Sequence, residues 1–174
     1  MNTGQSILSI GALLILSLTV LRVNNKILIT DEVLIDSKIG ILANSIAVSI
    51  IEKANKKNFD HNTTGGEVPL SGLTAPGALT WNHSDPNDTP PDLCDDFDDF
   101  NGYTQQDTFF NSVIFSSTCE VVYVDSTNPD SKVTSGPTWH KKLTVKTTWR
   151  QTGDPVNTPS DTFKLSTLFS YWYF

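Results

Sequence analysis

The stretch CDDFDDFNGY, Cys94 to Tyr103, gathers the side chains with the most evident chemistry. Asp95, Asp96, Asp98 and Asp99 follow one another closely, with Asp92 just upstream and Asn101-Gly102 after. Oxygen ligands this dense suit a hard cation, and calcium is the one cofactor they suggest. The spacing is not that of an EF-hand: in the register set by Asn101-Gly102, the first ligand position falls on Phe97. The competing reading is a solvated acidic turn that inserts Phe97, Phe100 and Tyr103 into the core. His61, His83 and His140 lie far apart, without the HxxxH or HExxH spacing of a zinc site. No GxSxG, phosphate-binding loop or GxGxxG is present, so nothing in the sequence reads as an enzyme.

Cys94 and Cys119 are the only cysteines. An even pair in a β-rich body behind an apolar N-terminus predicts one disulfide in an oxidising compartment, worth ~3 kcal/mol. Asn62, Asn82 and Asn87 each begin a glycosylation sequon, which fits an external surface. Charge is divided unequally. Residues 1–57 carry six Lys/Arg against four Asp/Glu, and residues 58–174 carry six against fifteen. A body with a net charge of −9 repels phosphate and has no basic stripe, which excludes nucleic acid as a partner.

Positioning these residues requires elements of two kinds. The first is apolar and helical. Ile7 to Leu21 is an apolar run broken only by small or hydroxyl residues, ~22 Å long as a helix and shorter than the ~30 Å hydrocarbon core. No base precedes it and no small-x-small cleavage pattern follows, unlike a secretory signal. From Lys26 to Lys57 there is no proline, and polar clusters recur about every seven residues, a helical period with a narrow polar stripe. Lys53, Lys56 and Lys57 suit the negative end of a helix dipole. Residues 1–57 are therefore expected to form one helix of ~80 Å. A body ~30 Å across cannot cover it, so lipid, further copies of the chain, or both in turn must.

The second kind is β. Residues 58–106, rich in Pro, Gly, Asn and Thr, read as a connecting region, with Val68, Leu70, Leu73, Leu79 and Trp81 to dock it. Residues 107–174 read as an antiparallel β domain. Its expected strands are Thr108–Phe115, Glu120–Val124, HKKLTVKTTWR and Thr162–Phe174. In the third, Leu143, Val145, Thr147 and Trp149 alternate with polar residues, as in a half-buried antiparallel strand. The aromatic end, Leu168 to Phe174, serves core packing or, less simply, contact with a neighbouring subunit or surface ligand.

In this order of parts the chain resembles a type IV pilin or a pseudopilin of type II secretion. The α+β plan is the family's: a long N-terminal helix, apolar in its first half, then a loop, a small antiparallel sheet and a disulfide. The resemblance implies leader cleavage after Gly4, with Gln5 as the first mature residue. Gln5 stands where the family has an aromatic residue, and Ser9 where it has a glutamate. It further implies a homo-oligomeric surface filament whose subunits are anchored in the inner membrane before assembly. A minor pilin or pseudopilin, and a single-pass anchored binding module, are the alternative readings.

Overall fold

The computed structural model describes residues 3–79, 94–109, 112–153 and 162–171. Helix α1 runs from Thr3 to Ala54, and the chain divides into two units inside it, Met1–Ile41 and Leu42–Phe174.

In the first unit, large apolar side chains from Ile7 to Ile41 stand exposed, Leu8 at 76%. They do not form a single face. Ile27, Leu28 and Ile29 are successive, as are Val33, Leu34 and Ile35, and each step turns the helix by ~100°. The apolar surface thus wraps the helix more fully than a narrow polar stripe implies. The hydroxyls do not interrupt it. Ser9 Oγ donates to the Gln5 carbonyl at 2.9 Å, and Thr19, Thr30 and Ser37 likewise bond the carbonyl four residues back. These four hydroxyls are thus satisfied within the helix, as apolar surroundings favour.

The second unit begins with the last turns of α1, where the pattern sharpens. Ala43, Ile46, Ala47, Ile50, Ile51 and Ala54 are buried at intervals of three and one, a stripe with a helical period. The alanines allow close approach of whatever packs there. Lys53 lies in the last turn, as the dipole favours.

Four strands form one antiparallel sheet in sequence order: β1 (Thr104–Phe109), β2 (Val113–Tyr123), β3 (His140–Gln151) and β4 (Thr162–Ser170). The expected strand Thr108–Phe115 is instead the β1–β2 hairpin, where Ser112 N–H donates to the Phe109 carbonyl. β2 then passes unbroken through Ser116, Ser117 and Thr118 to Tyr123. Its inner face is apolar except for Ser117, whose hydroxyl meets Thr147 Oγ1 at 2.9 Å, and a search for continuous apolar runs overlooks such a strand.

Register places Phe115, Ser117, Cys119, Val121 and Tyr123 opposite Trp149, Thr147, Val145, Leu143 and Lys141. This is the buried face, and the alternation expected for β3 is present. Against it lies a cluster of Phe59, Leu73, Leu79 and Tyr123, with Val133, Trp139, Phe169 and Tyr171 at its margin. Phe97 and Phe100 are fully buried and Tyr103 nearly so. Phe97 packs on Phe169 with ring centroids 5.0 Å apart. Phe169 and Tyr171 also meet Phe59, so these two residues of the aromatic C-terminal stretch serve the core.

The expected disulfide is not formed. Cys94 and Cys119 are both buried and are not bonded to each other. Each sits in the core as a small apolar side chain, a common place for cysteine. Burial pushes the Cys119 thiol up to about 12, so it stays protonated and inert.

Candidate functional site

The acidic turn is held beside the end of α1 by a short parallel bridge between Asn58 and Asp96. Phe97 N–H donates to the Asn58 carbonyl at 2.8 Å. This brings Phe59-Asp60 alongside Asp96-Phe97-Asp98, and β3 delivers Lys141 to the same place. Lys141, Asp60, Asp96 and Asp98 are all fully buried, and Asp99 is 1% exposed.

Lys141 Nζ donates to Asp60 Oδ2 at 2.9 Å and to the Phe59 carbonyl at 2.7 Å. It also forms an ion pair with Asp98 Oδ1 at 2.6 Å, while Asp98 Oδ2 is buried without a hydrogen-bond partner. The ammonium also stands over the Phe59 ring at 4.3 Å and the Tyr123 ring at 5.1 Å. Asp60 is fixed from several sides. Thr74 N–H and Oγ1 donate to it at 2.9 and 3.0 Å, and Asn62 N–H at 3.1 Å. Tyr123 OH donates to the Thr74 carbonyl at 2.8 Å and lies 3.3 Å from Asp60 Oδ2. Asp60 also caps the short helical turn His61–Thr63.

The carboxyls respond differently to one environment. For Asp60, burial raises the pKa, but the charge and hydrogen bond of Lys141, with the Thr74 and Asn62 amides, outweigh it and the net shift is downward. For Asp98, burial dominates over Lys141, and the nearby Asp96 and Asp60 charges add to it, so its pKa stands well above the ordinary carboxylate value. Asp96 is also raised, chiefly by burial. Burial, with the neighbouring carboxylates, pushes the Tyr123 phenol upward as well. The arrangement sets one amine between a carboxyl whose pKa is lowered and another whose pKa is raised.

The four aspartates considered for calcium part company here. Asp96 Oδ1 accepts from the Asp98 and Asp99 amides at 2.7 and 3.1 Å, while Asp99 Oδ2 accepts from Asp95 and Asp96 at 3.0 and 3.3 Å. Their carboxylates thus cap their own turn, and Asp98 faces Lys141. Asp95 remains at the surface, where it pairs with His61 at 3.3 Å. Among the described residues, His61, Asp95 and Asp96 each bring one potential ligand atom within 4.8 Å of the others. Asn101 bridges inward, accepting from Val121 N–H and donating to the Leu79 carbonyl.

Asn62 is exposed, with its amide donating to the Gly72 carbonyl. Asn82, Asn87, His83 and Asp92 lie outside the described residues, as do Trp172, Tyr173 and Phe174. Gly4 and Gln5 fall in the first turn of α1. His140 Nδ1 bonds Ser170 Oγ at 2.8 Å beside an apolar pocket of about 780 Å³. Trp139 and Tyr171 line that pocket as a stacked pair, 5.6 Å apart and 18° from parallel, with Glu67 at its rim.

Lys141 and Asp60 are absent from the acidic motif that drew attention in the sequence. The signal for Lys141 was its parity, since it shares the odd-numbered face of Leu143, Val145 and Thr147. Asp60 had only a capping signal, an acidic residue just before His61-Asn62-Thr63.

No protein-family model matches the chain, and no curated protein or solved structure shows significant similarity to it.

Proposed function

We propose that this chain is a structural subunit of an extracellular type IV pilus-like filament, anchored in the inner membrane by α1 before assembly. The observation that supports it most is the apolar surface of residues 3–41, whose large side chains stand exposed in successive positions while four of its hydroxyls bond their own backbone. Burying one such large side chain is worth ~1.5–3 kcal/mol, so lipid or neighbouring copies must take the place of water. The helix is long and apolar enough to cross a membrane. A span needs only ~20 residues, and exposed apolar side chains continue through Ile35 and Ile41. Packing against identical helices under a fixed head-to-tail operator gives that surplus a role and builds an open helix. Among the described residues, Arg22, Lys26, Asp31 and Asp36 make no ion pair within the chain. Their charges are thus open to pairing between adjacent helices.

A second reading, a membrane-anchored binding module, is favoured by the Trp139–Tyr171 pocket. Shearing cells that express the chain, pelleting the shed material and imaging it separates the two. Ordered filaments containing the chain support the subunit reading. Protein that stays with the membrane as detergent-soluble monomer supports the module.

A further inference from the structure

The buried amine at the centre of the second unit has a chemistry beyond packing. We propose that Lys141 and Asp98 join in an intramolecular isopeptide bond, formed by the folded domain itself.

The reacting groups are already in place. Nζ is 2.6 Å from Asp98 Oδ1, and Asp98 Oδ2 is buried with no hydrogen-bond partner. Proximity of this kind replaces an encounter in solution by a unimolecular step. Asp60 Oδ2, 2.9 Å from the same nitrogen, is the base. Its hydrogen bonds to Thr74 and Asn62 keep it ionised and oriented. Phe59 and Tyr123 stand against the amine, and the buried rings of Phe97 and Phe100 flank Asp98 in sequence. Water is thereby kept from the product amide.

The step balances without any co-reactant. The ammonium gives one proton to the Asp60 carboxylate and becomes a neutral amine. Its lone pair attacks Cγ of the protonated Asp98 carboxyl, forming the C–N bond. The tetrahedral adduct expels the Asp98 hydroxyl, which leaves as water with a second proton from nitrogen. The products are a neutral secondary amide, one water and a protonated Asp60. Asp98 is the acyl donor rather than Asp60, because a carboxylic acid is electrophilic and an ionised, multiply bonded carboxylate is not. The reaction also replaces the buried ammonium–carboxylate pair of Lys141 and Asp60 by a neutral amide and a neutral carboxyl. Keeping two charges out of water is costly even when they are paired, and the neutral products avoid that cost.

The bond would tie β3 to the turn carrying Asp98, and it stands independently of the filament reading. The test is intact mass of the purified full chain, with fragment sequencing after proteolysis. The expected result is a mass lower than the composition by one water, and a branched peptide joining Lys141 to Asp98. Lys141→Arg and Asp60→Ala are expected to keep the full mass, whereas Asp98→Asn can link with loss of ammonia instead. A wild-type chain of full mass, with Lys141 recovered in a linear peptide, overturns the proposal. So does a branch at Asp60 or Asp96. The wild-type measurement decides even if a variant fails to fold.

Discussion

Replacing Lys141 by Met tests the site where the second unit concentrates its charge. Met keeps much of the volume and removes the ammonium. Measured against wild-type chain whose mass shows no Lys141–Asp98 link, Asp60 loses its hydrogen bond from Nζ, and Asp98 loses the cation 2.6 Å away. Breaking one side of a fully buried pair costs ~3–5 kcal/mol. Against the ~5–15 kcal/mol that holds a domain folded, that is a large fraction. The cost should depend on pH. Asp60 has its folded pKa lowered by Lys141, so its contribution is present above the unfolded carboxylate value and lost as pH falls through the folded one. In Lys141→Met that lowering disappears, Asp60 takes up a proton more readily, and the deficit narrows on acidification. Urea unfolding of the full chain in detergent, followed by near-ultraviolet circular dichroism from Trp139, Trp149 and the buried tyrosines, reads both effects. A loss under ~1 kcal/mol at neutral pH, or a deficit that widens in acid, would refute the reasoning.

Asp98 and Asp96 carry the opposite sign. Their folded pKa values are raised, so in an unlinked chain their contribution is fully present below the unfolded carboxylate value and is lost as pH rises through the folded values; Asp98→Asn should flatten that fall. If the isopeptide bond forms, wild type already lacks the Asp98 part, and Lys141→Arg should restore it. Both cysteines should resist alkylation in the native chain and take up one label each in denaturant without reductant, and reductant should leave the unfolding midpoint unchanged. Ala47→Leu, at a position with no exposed surface, should destabilise the second unit by ~1–3 kcal/mol through overpacking, while Leu14→Ala should leave that unit's stability unaltered. Calcium or a chelator should shift the unfolding midpoint little, because Asp96 and Asp99 already accept backbone amides and Asp98 faces Lys141.

The broad plan was legible because each part has a strong periodic or compositional signal. The helix announced itself through fifty residues without proline, and β3 through its alternation. The insertion of Phe97, Phe100 and Tyr103 followed from aromatics spaced among aspartates that a short turn can point outward or cap. The hairpin was misplaced because Phe109 and Phe115 both look like strand centres, while β1 ends at Phe109 and β2 begins at Val113. The disulfide expectation rested on cysteine parity and compartment, and neither fixes whether two thiols are joined. The charged centre was hidden for a different reason. Asp60, Asp98 and Lys141 are brought together by tertiary pairing across up to 81 positions. A lone Lys on the apolar parity of a strand reads as an exception until its partners are seen.

The filament reading is the central claim, and cryo-EM of sheared surface material addresses it most directly. The account predicts helical filaments with Thr3–Ile41 packed against its copies in the core and the sheet outside, with intact mass on the same sample reporting the fate of residues 1–4. Shed fractions empty of the chain, with all of it recovered from the membrane as monomer, would contradict the account.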